Sequence, residues 1–368
     1  MRVLYFTRDY SPHDHRFLAA LAQTNHQVFY LRLERSSRQV EDRPVPEEIE
    51  QVTWQGGRNP FQWRNLPGLL LDLRSVLARL KPDLVHAGPI QSPAFMAALA
   101  GFRPLVSMSW GSDLLRDAGS SCWMHWVTRY TLDRTTLLIG DCQAVQQKAG
   151  SFGFPVERVV LFPWGVDLQQ FSPAQADDFR QRQGWQDCFV LLSLRSWERL
   201  YGVEGLVSAF CQAARQIPEL RLLLLGGGSQ AAVLRHILQQ NEMLDRVYFG
   251  GQVSQADLPV YYRACDLYLS ASHSDGSSVS LMEALACAKP VLISDIPGNK
   301  EWITSGAQGW LFPDGDFNAL AMGIIHAFDQ RHQLAGMGSA ARSLAEQRAD
   351  WPRNFQILLD AYETALGL

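Results

Sequence analysis

The sequence predicts an α/β protein built as two doubly wound parallel sheets. Three observations carry this. The chain has 368 residues, more than one ordinary domain and enough for two with a core each. Short β-type runs alternate with helix-length amphipathic segments, the pattern of βαβ units with right-handed crossovers. After Pro173 the alternation starts afresh.

In the first half the order is VLYF, then HRFLAALAQT, then QVFYLRL, and later LLLDLRSVLARL followed by DLVHA. In the second half CFVLLSL, LRLLLLG, RVYFGG, LYLSAS and PVLIS read as strands. VEGLVSAFCQAARQI, AAVLRHILQQ, ADLPVYYRAC, LMEALACA and FNALAMGIIHAF read as the helices between and after them. The segment FPWGVDLQQFSP joins the halves. Residues 1–165 are therefore expected to form an N-terminal Rossmann-like domain and 166–345 a C-terminal one. DWPRNFQILLDAYETALGL reads as a helix opening near Pro352, within a terminal segment 346–368. Its apolar face can dock on either domain, and a return to the N-terminal one is an open expectation. Ligands are expected at the carboxyl ends of the strands and in the cleft between the domains.

The composition, 47% hydrophobic and 19% charged, is that of an ordinary globular protein. With a net charge of −4, neither a nucleic-acid nor an acidic-lipid partner is implied by the chain as a whole. Residues 1–170 carry 18 Lys+Arg against 16 Asp+Glu, and the remainder 15 against 21, too even a split to name a partner. The six cysteines, at 122, 142, 188, 211, 265 and 287, fall singly, without a CxxC pair or a His at metal spacing, which suits a reducing compartment. MRVLYFTRDY is too short and too polar for a signal-peptide core, and no run reaches the roughly 18 apolar residues of a membrane span. A cytoplasmic location follows as the expectation, with contact to a membrane surface left open.

Several motifs have bland and functional readings side by side. Gly226, Gly228 and Ala231 in LLLLGGGSQAAV satisfy G-x-G-x-x-A, but VYFGGQV lacks the acid a dinucleotide ribose needs, so a tight strand-to-helix turn is favoured. In FPDGDFNAL the Asp-x-Asp of 314–316 resembles a metal motif, yet Asp316 suits a helix cap, and no metal is expected there. His13 and His15, in YSPHDHRFL, follow the first strand, where a His can bind an acceptor or simply bond to its neighbours. Trp54, Phe61 and Trp63, interleaved with Arg58 and Arg64, suit a lipid-facing or aglycone-binding loop, or a surface loop with its aromatics tucked in.

The most informative stretch is SHSDGSSVSLMEALACAKP, residues 272–290. DGSSVS offers backbone N–H groups to an anion, and MEALACA begins a helix whose positive end adds to them. Asp275 stands in the loop and Glu283 in the first turns of the helix. Two acids beside an anion site suit a ligand that is both phosphorylated and rich in hydroxyls, such as a nucleotide sugar; an exposed loop Asp and a surface Glu are the bland alternative.

With its continuation VLISDIPGNKEW, this window resembles the donor-site signature of the retaining glycosyltransferases of family 4, which have the GT-B fold. The resemblance extends to FPWGVDLQQF, SLRSWERLYGVEGLVSAF and GGQVSQADLPVYYRACDLYLSAS, and so covers most of the chain. It implies two Rossmann-like domains facing a deep cleft. It also implies metal-independent, retaining transfer of a sugar from a nucleoside diphosphate to an acceptor hydroxyl, in glycan, glycolipid or cell-envelope polysaccharide synthesis, with no cofactor beyond the donor. By the resemblance Glu283 binds the donor ribose and Asp275 the transferred sugar. Gly276, Ser277, Ser278 and Val279 line the sugar and diphosphate, Arg195 binds the diphosphate, and Gly251 and Gln252 face the base.

The departures are specific. The first acid is Asp275 where Glu is usual. Tyr201 precedes Gly202 where Lys is usual, leaving Arg199 as the substitute cation. Ala288 replaces a Gly. SPHDHR replaces a Gly-rich loop, so His13 and Arg16 are expected on the acceptor or phosphate side. The usual His-Gly pair appears as Trp110 and Gly111, so the acceptor side either does without that His or recruits Asp113, His13 or His273. The acceptor is open between carbohydrate, lipid-linked and small molecules. A nucleotide-sugar-binding protein without transfer, and a phosphorylase or epimerase of the same fold, are the alternatives.

Overall fold

The computed structural model describes residues 1–35, 41, 43–173 and 178–367. The chain divides into two compact units, Met1–Phe162 with Phe355–Leu368, and Pro163–Asn354.

Among the described residues the first unit holds a seven-stranded sheet. Its strands are β1 (Arg2–Thr7), β2 (Gln27–Arg32), β3 (Glu50–Gln51), β4 (Leu84–Gly88), β5 (Leu105–Met108), β6 (Leu137–Gly140) and β7 (Val159–Leu161). They lie in the order β3-β2-β1-β4-β5-β6-β7, all parallel. The second unit holds β8 (Phe189–Ser193), β9 (Leu220–Leu225), β10 (Val247–Gly251), β11 (Leu267–Ser270), β12 (Val291–Ser294) and β13 (Gly309–Phe312). Their order is β10-β9-β8-β11-β12-β13, again all parallel. In each sheet the winding reverses beside the first strand, between β1 and β4 and between β8 and β11. Loops leaving the carboxyl ends of those neighbours part to opposite faces and open a crevice there.

The central strands are apolar on both faces because helices cover both. β8 is buried throughout. In the helix Val203–Ala214, Val203, Leu206 and Phe210 form one buried stripe and belong to the same core as Leu222, Leu224, Leu267 and Leu269. In the first unit Leu4, Phe6, Val85 and Leu105 join Leu73, Val76 and Leu77 of the helix Leu66–Leu80.

The boundaries differ from those expected at 165/166 and 345/346. Val166 N–H donates to Ala349 O at 2.8 Å, and the Asn354 amide donates to the carbonyls of Pro163 and Trp164 at 3.0 and 2.9 Å. These bonds tie 163–166 and 346–354 into the second unit. Gly165 permits the approach, since a Cβ there would meet the Trp351 backbone at 2.7 Å. Beyond Asn354 the terminal helix Trp351–Leu366 joins the first unit. Tyr362 OH lies 2.6 Å from His86 Nδ1, and both residues are buried. Burial lowers the His86 pKa to about 3, so this imidazole is neutral.

Candidate functional site

In the second unit two loops meet at the crevice. β8 pairs with β11, so Arg195, just past the end of β8, comes beside the loop that follows Ser270. Arg195 Nη2 donates to Asp275 Oδ2 at 2.6 Å, and Nη1 donates to Ser278 Oγ and Ser280 Oγ at 3.0 and 3.1 Å. The two charged side chains are only 14% and 20% exposed. Burial pushes the Asp275 carboxyl above its ordinary range, against the opposing pull of the Arg195 guanidinium and the Ser278 hydroxyl. Burial acts to lower the Arg195 pKa, but Asp275 and the neighbouring tyrosines outweigh it and the net direction is upward. The pair is thus a desolvated cation and anion holding one another, with two serine hydroxyls accepting from Nη1, while the Arg195 Nε is buried without a hydrogen-bond partner among the described residues.

Glu283 lies in the helix Val279–Ala286 and is 2% exposed. Its Oε1 accepts from Gln255 Nε2 at 2.7 Å and its Oε2 from Tyr262 OH at 2.8 Å. Burial first, and the Glu283 carboxylate second, raise the Tyr262 pKa well above the ordinary phenol value, so Tyr262 stays a donor. Neither acid is therefore the exposed residue of the bland reading. The N-cap of this helix is Ser278, whose hydroxyl turns to Arg195 and Ser280 instead of back on the helix. Its first N–H groups thus have no side-chain cap, which suits them to an anion.

The loop is held from behind. Trp302 Nε1 donates to Ser277 Oγ at 3.1 Å, and Gly298 packs so closely that a Cβ would meet the carbonyl oxygens of Gly276 and Asp275 at 2.5 and 2.6 Å. Gly276, Ser277 and Ser278 are buried and Val279 half-buried. Gly251 ends β10 with φ +65, the left-handed region that favours glycine, and Gln252 beside it is exposed.

Arg199 stands apart from this cluster. It is exposed in the turn Arg199–Tyr201, and no hydrogen bond joins it to Arg195, Asp275 or Glu283. The Tyr201 ring instead lies 4.4 Å from the Arg195 guanidinium. The reason is local: Gly202, with φ +60, folds that turn back against the Ala271 carbonyl and carries the tyrosine inward.

Other motifs sort themselves geometrically. The Gly226–Gly228 turn is filled by the neighbouring loop: Trp197 N–H donates to Gly227 O at 2.9 Å, and a Cβ at Gly228 would meet Trp197 O at 2.6 Å. Asp316 Oδ1 caps the helix Phe317–Asp329 through Ala319 N–H at 2.9 Å. Asp314 lies 2.6 Å from His273 Nδ1. His273, expected on the acceptor side, thus belongs to the second unit, on the loop after β11.

In the first unit the loops after β1, β4 and β5 carry the remaining candidates. His13 lies in the first turn of the helix Pro12–Ala22, its ring 5.6 Å from that of Trp110, and Arg16 lies one turn further along. Gly111, φ +83, starts the short helix Ser112–Leu115. Asp113, 5% exposed, accepts from Ile90 N–H at 3.0 Å, Ser109 Oγ at 2.7 Å and Trp110 N–H at 2.9 Å. Burial raises its pKa. With its oxygens held by three donors, Asp113 shapes the loops after β4 and β5 and is poorly placed to take a proton from an acceptor. Sequence reasoning missed Ser280, Gln255, Tyr262 and Trp302; the four lie scattered between positions 255 and 302 and carry no motif.

Two all-parallel, doubly wound units make a GT-B architecture, and in the second of them a cation, two acids and a helix start without a side-chain cap meet at the switch point. The profile of the family described as "Glycosyl transferases group 1" matches residues 175–344, and that of "Glycosyl transferase 4-like" matches residues 2–142. The second unit thus carries the group 1 glycosyltransferase domain and the first the 4-like domain, the two profiles together spanning most of the chain. It is 26% identical over 376 residues to a D-inositol 3-phosphate glycosyltransferase of Pseudarthrobacter chlorophenolicus, covering 95% of this chain and 88% of that one. A GDP-mannose-dependent alpha-(1-6)-phosphatidylinositol monomannoside mannosyltransferase of Mycolicibacterium smegmatis is 23% identical, over 72% of this chain and 71% of its own. The fold is shared with HepE of Anabaena in its complex with UDP and glucose, at TM-score 0.81 and 22% identity, covering 99% and 100% of the two chains. It is also shared with sucrose-phosphate synthase of Thermosynechococcus elongatus, at TM-score 0.82 and 20% identity over 100% and 99%.

Proposed function

We propose that this glycosyltransferase moves a sugar from a nucleoside diphosphate to an acceptor hydroxyl with retention of configuration, and that it needs neither metal nor cofactor. The observation that carries the reading is the meeting of Arg195, Asp275 and the helix start at Ser278, with Glu283 held ready behind them. Each part matches a need of the reaction. Arg195 and the N–H groups of the helix Val279–Ala286 meet the charge that grows on the diphosphate as the sugar leaves. Glu283, fixed by Tyr262 and Gln255, accepts the ribose hydroxyls. Asp275 accepts hydroxyls of the sugar. Gly251 and Gln252 lie beside the base, and the loops bearing His13, Arg16, Trp110 and Gly111 lie on the acceptor side. Retention follows from attack on the face the diphosphate leaves, with its own oxygen taking the acceptor proton. The protein then contributes mainly orientation and charge stabilisation. Named relatives that use GDP-mannose, and one of the same fold holding UDP with glucose, support the donor class.

The test is donor binding by calorimetry with Glu283→Ala and Arg195→Ala. Loss of about tenfold or more in each is expected from removing charge-assisted bonds in a dry site. Unchanged affinity for every nucleotide sugar in both variants would sink the reading. Activity that survives chelation supports the metal-free mechanism, and activity abolished by chelation and restored by a divalent cation overturns it.

A further inference from the structure

On the first unit three tryptophans stand in the open. Trp63, Trp123 and Trp126 are 37%, 48% and 46% exposed, in a protein whose other large apolar side chains are mostly buried. They form one cluster: ring centroids of Trp63 and Trp123 are 5.6 Å apart, and those of Trp123 and Trp126 are 5.1 Å apart. Phe61 and Tyr130 extend it at either end, 5.2 Å from Trp63 and 5.3 Å from Trp126. Its place in the fold is specific. Trp123 and Trp126 open the helix Cys122–Leu132 that crosses from β5 to β6, and Trp63 precedes the helix Leu66–Leu80 that leads to β4. The cluster therefore rims the carboxyl-end side of the sheet, the side that carries Trp110 and His13.

Cations accompany it: the Arg134 guanidinium lies 3.6 Å from the Tyr130 ring centroid. Arg64 and Arg129 are exposed within the cluster's own segments. Exposed indole rings interleaved with arginines match the headgroup region of an anionic bilayer, where the ring body is sheltered, its N–H stays wet and the cations meet phosphate. A flat sugar-stacking platform does not fit: Trp63 meets Trp123 edge-on at 81°, while Trp123 and Trp126 stack face to face at 22° and cover one another. A second copy would bring two positive rims together. We propose that this aromatic and basic rim docks the protein on the surface of an anionic phospholipid membrane. No helix among the described residues is long and apolar enough to cross one, so the attachment is peripheral.

The experiment is flotation of the whole protein, without donor, on phosphatidylcholine vesicles with and without about one third phosphatidylglycerol. Wild type is expected to prefer the anionic vesicles by at least about tenfold at low salt, and Trp123→Ser/Trp126→Ser to lose about tenfold or more of that binding. Arg64→Ser/Arg129→Ser is expected to lose the anionic preference. Quenching of wild-type tryptophan fluorescence by brominated lipid is an independent readout, free of any folding defect in the variants. No wild-type flotation, no quenching, binding untouched by the tryptophan substitutions in a folded variant, or a solution dimer that those substitutions dissolve would each overturn the proposal. The measurement involves no sugar transfer, so its outcome is separate from that of the donor-binding test.

Discussion

Asp14 and His86 flank the same buried tyrosine and pull the pH dependence of folding in opposite directions. Tyr5 OH donates to Asp14 Oδ1 at 3.2 Å, and the Tyr5 ring meets His86 edge-on at 5.0 Å. Burial raises the Asp14 pKa from 3.8 to about 7, so between those values the folded state keeps a proton that the unfolded state has lost. Stability from this group falls as pH rises. Burial lowers the His86 pKa from 6.5 to about 3, so there the unfolded state takes up a proton that the folded state refuses, and stability rises with pH. Between pH 3.8 and 6.5 the two contributions oppose. Asp14→Asn removes one of them. Within that window its unfolding free energy is expected to gain about 1.4 kcal/mol per pH unit relative to wild type. Urea denaturation at several pH values measures this, and parallel curves would contradict it. At the candidate site the corresponding single-residue expectation concerns Tyr262. Tyr262→Phe strips Glu283 of a buried donor and should weaken nucleotide-sugar binding about tenfold, with the fold intact by circular dichroism. A binding isotherm indistinguishable from wild type would show that Glu283 is not positioned through Tyr262.

The helix Val279–Ala286 shows how an element bears the mark of a single substitution. It ends on a six-to-one bond, Lys289 N–H to Ala284 O at 2.9 Å, with Ala288 between at φ +55. That left-handed position is one glycine occupies without strain and alanine does not. Ala288→Gly is therefore expected to stabilise the protein by about 1 kcal/mol, read as a higher denaturation midpoint at unchanged slope. The opposite case is the short helix Pro297–Lys300, where Gly298 touches the backbone of Asp275 and Gly276. Gly298→Val should displace the loop and lower kcat/KM by about tenfold or more, while thermal melting stays cooperative; full activity would show the loop yields without consequence. These elements also mark what a sequence discloses. The strands and helices of both sheets were legible because central parallel strands must be apolar on both faces and their crossover helices on one. The loop after β11 was legible because its small residues and acids are contiguous. The Ser280, Gln255, Tyr262 and Trp302 contacts were not, since only the folded sheet brings such ordinary residues to the loop. The exposure of Arg199 was not legible either, since charge can be read from a sequence but the turn made by Gly202 decides which side chain, Arg199 or Tyr201, faces inward.

At the scale of the whole molecule, the first unit is not one stretch of chain. Its sheet is made by residues 1–162, and its last piece, residues 355–368, follows the entire second unit. Tyr362 reaches back across 276 positions to His86. Tyr362→Phe removes that bond and leaves a buried imidazole nitrogen without its partner, at a cost of about 1–3 kcal/mol. The loss should appear as a lower melting temperature, and an unchanged one would mean the helix is held by its apolar face alone. The same arrangement sets an order in time. As the chain leaves the ribosome, β1 to β7 are available early, but the surface around His86 stays uncovered while the next 192 residues are made. At ordinary elongation rates that interval is roughly 10–40 s. The half of the protein synthesised first is thus the half completed last.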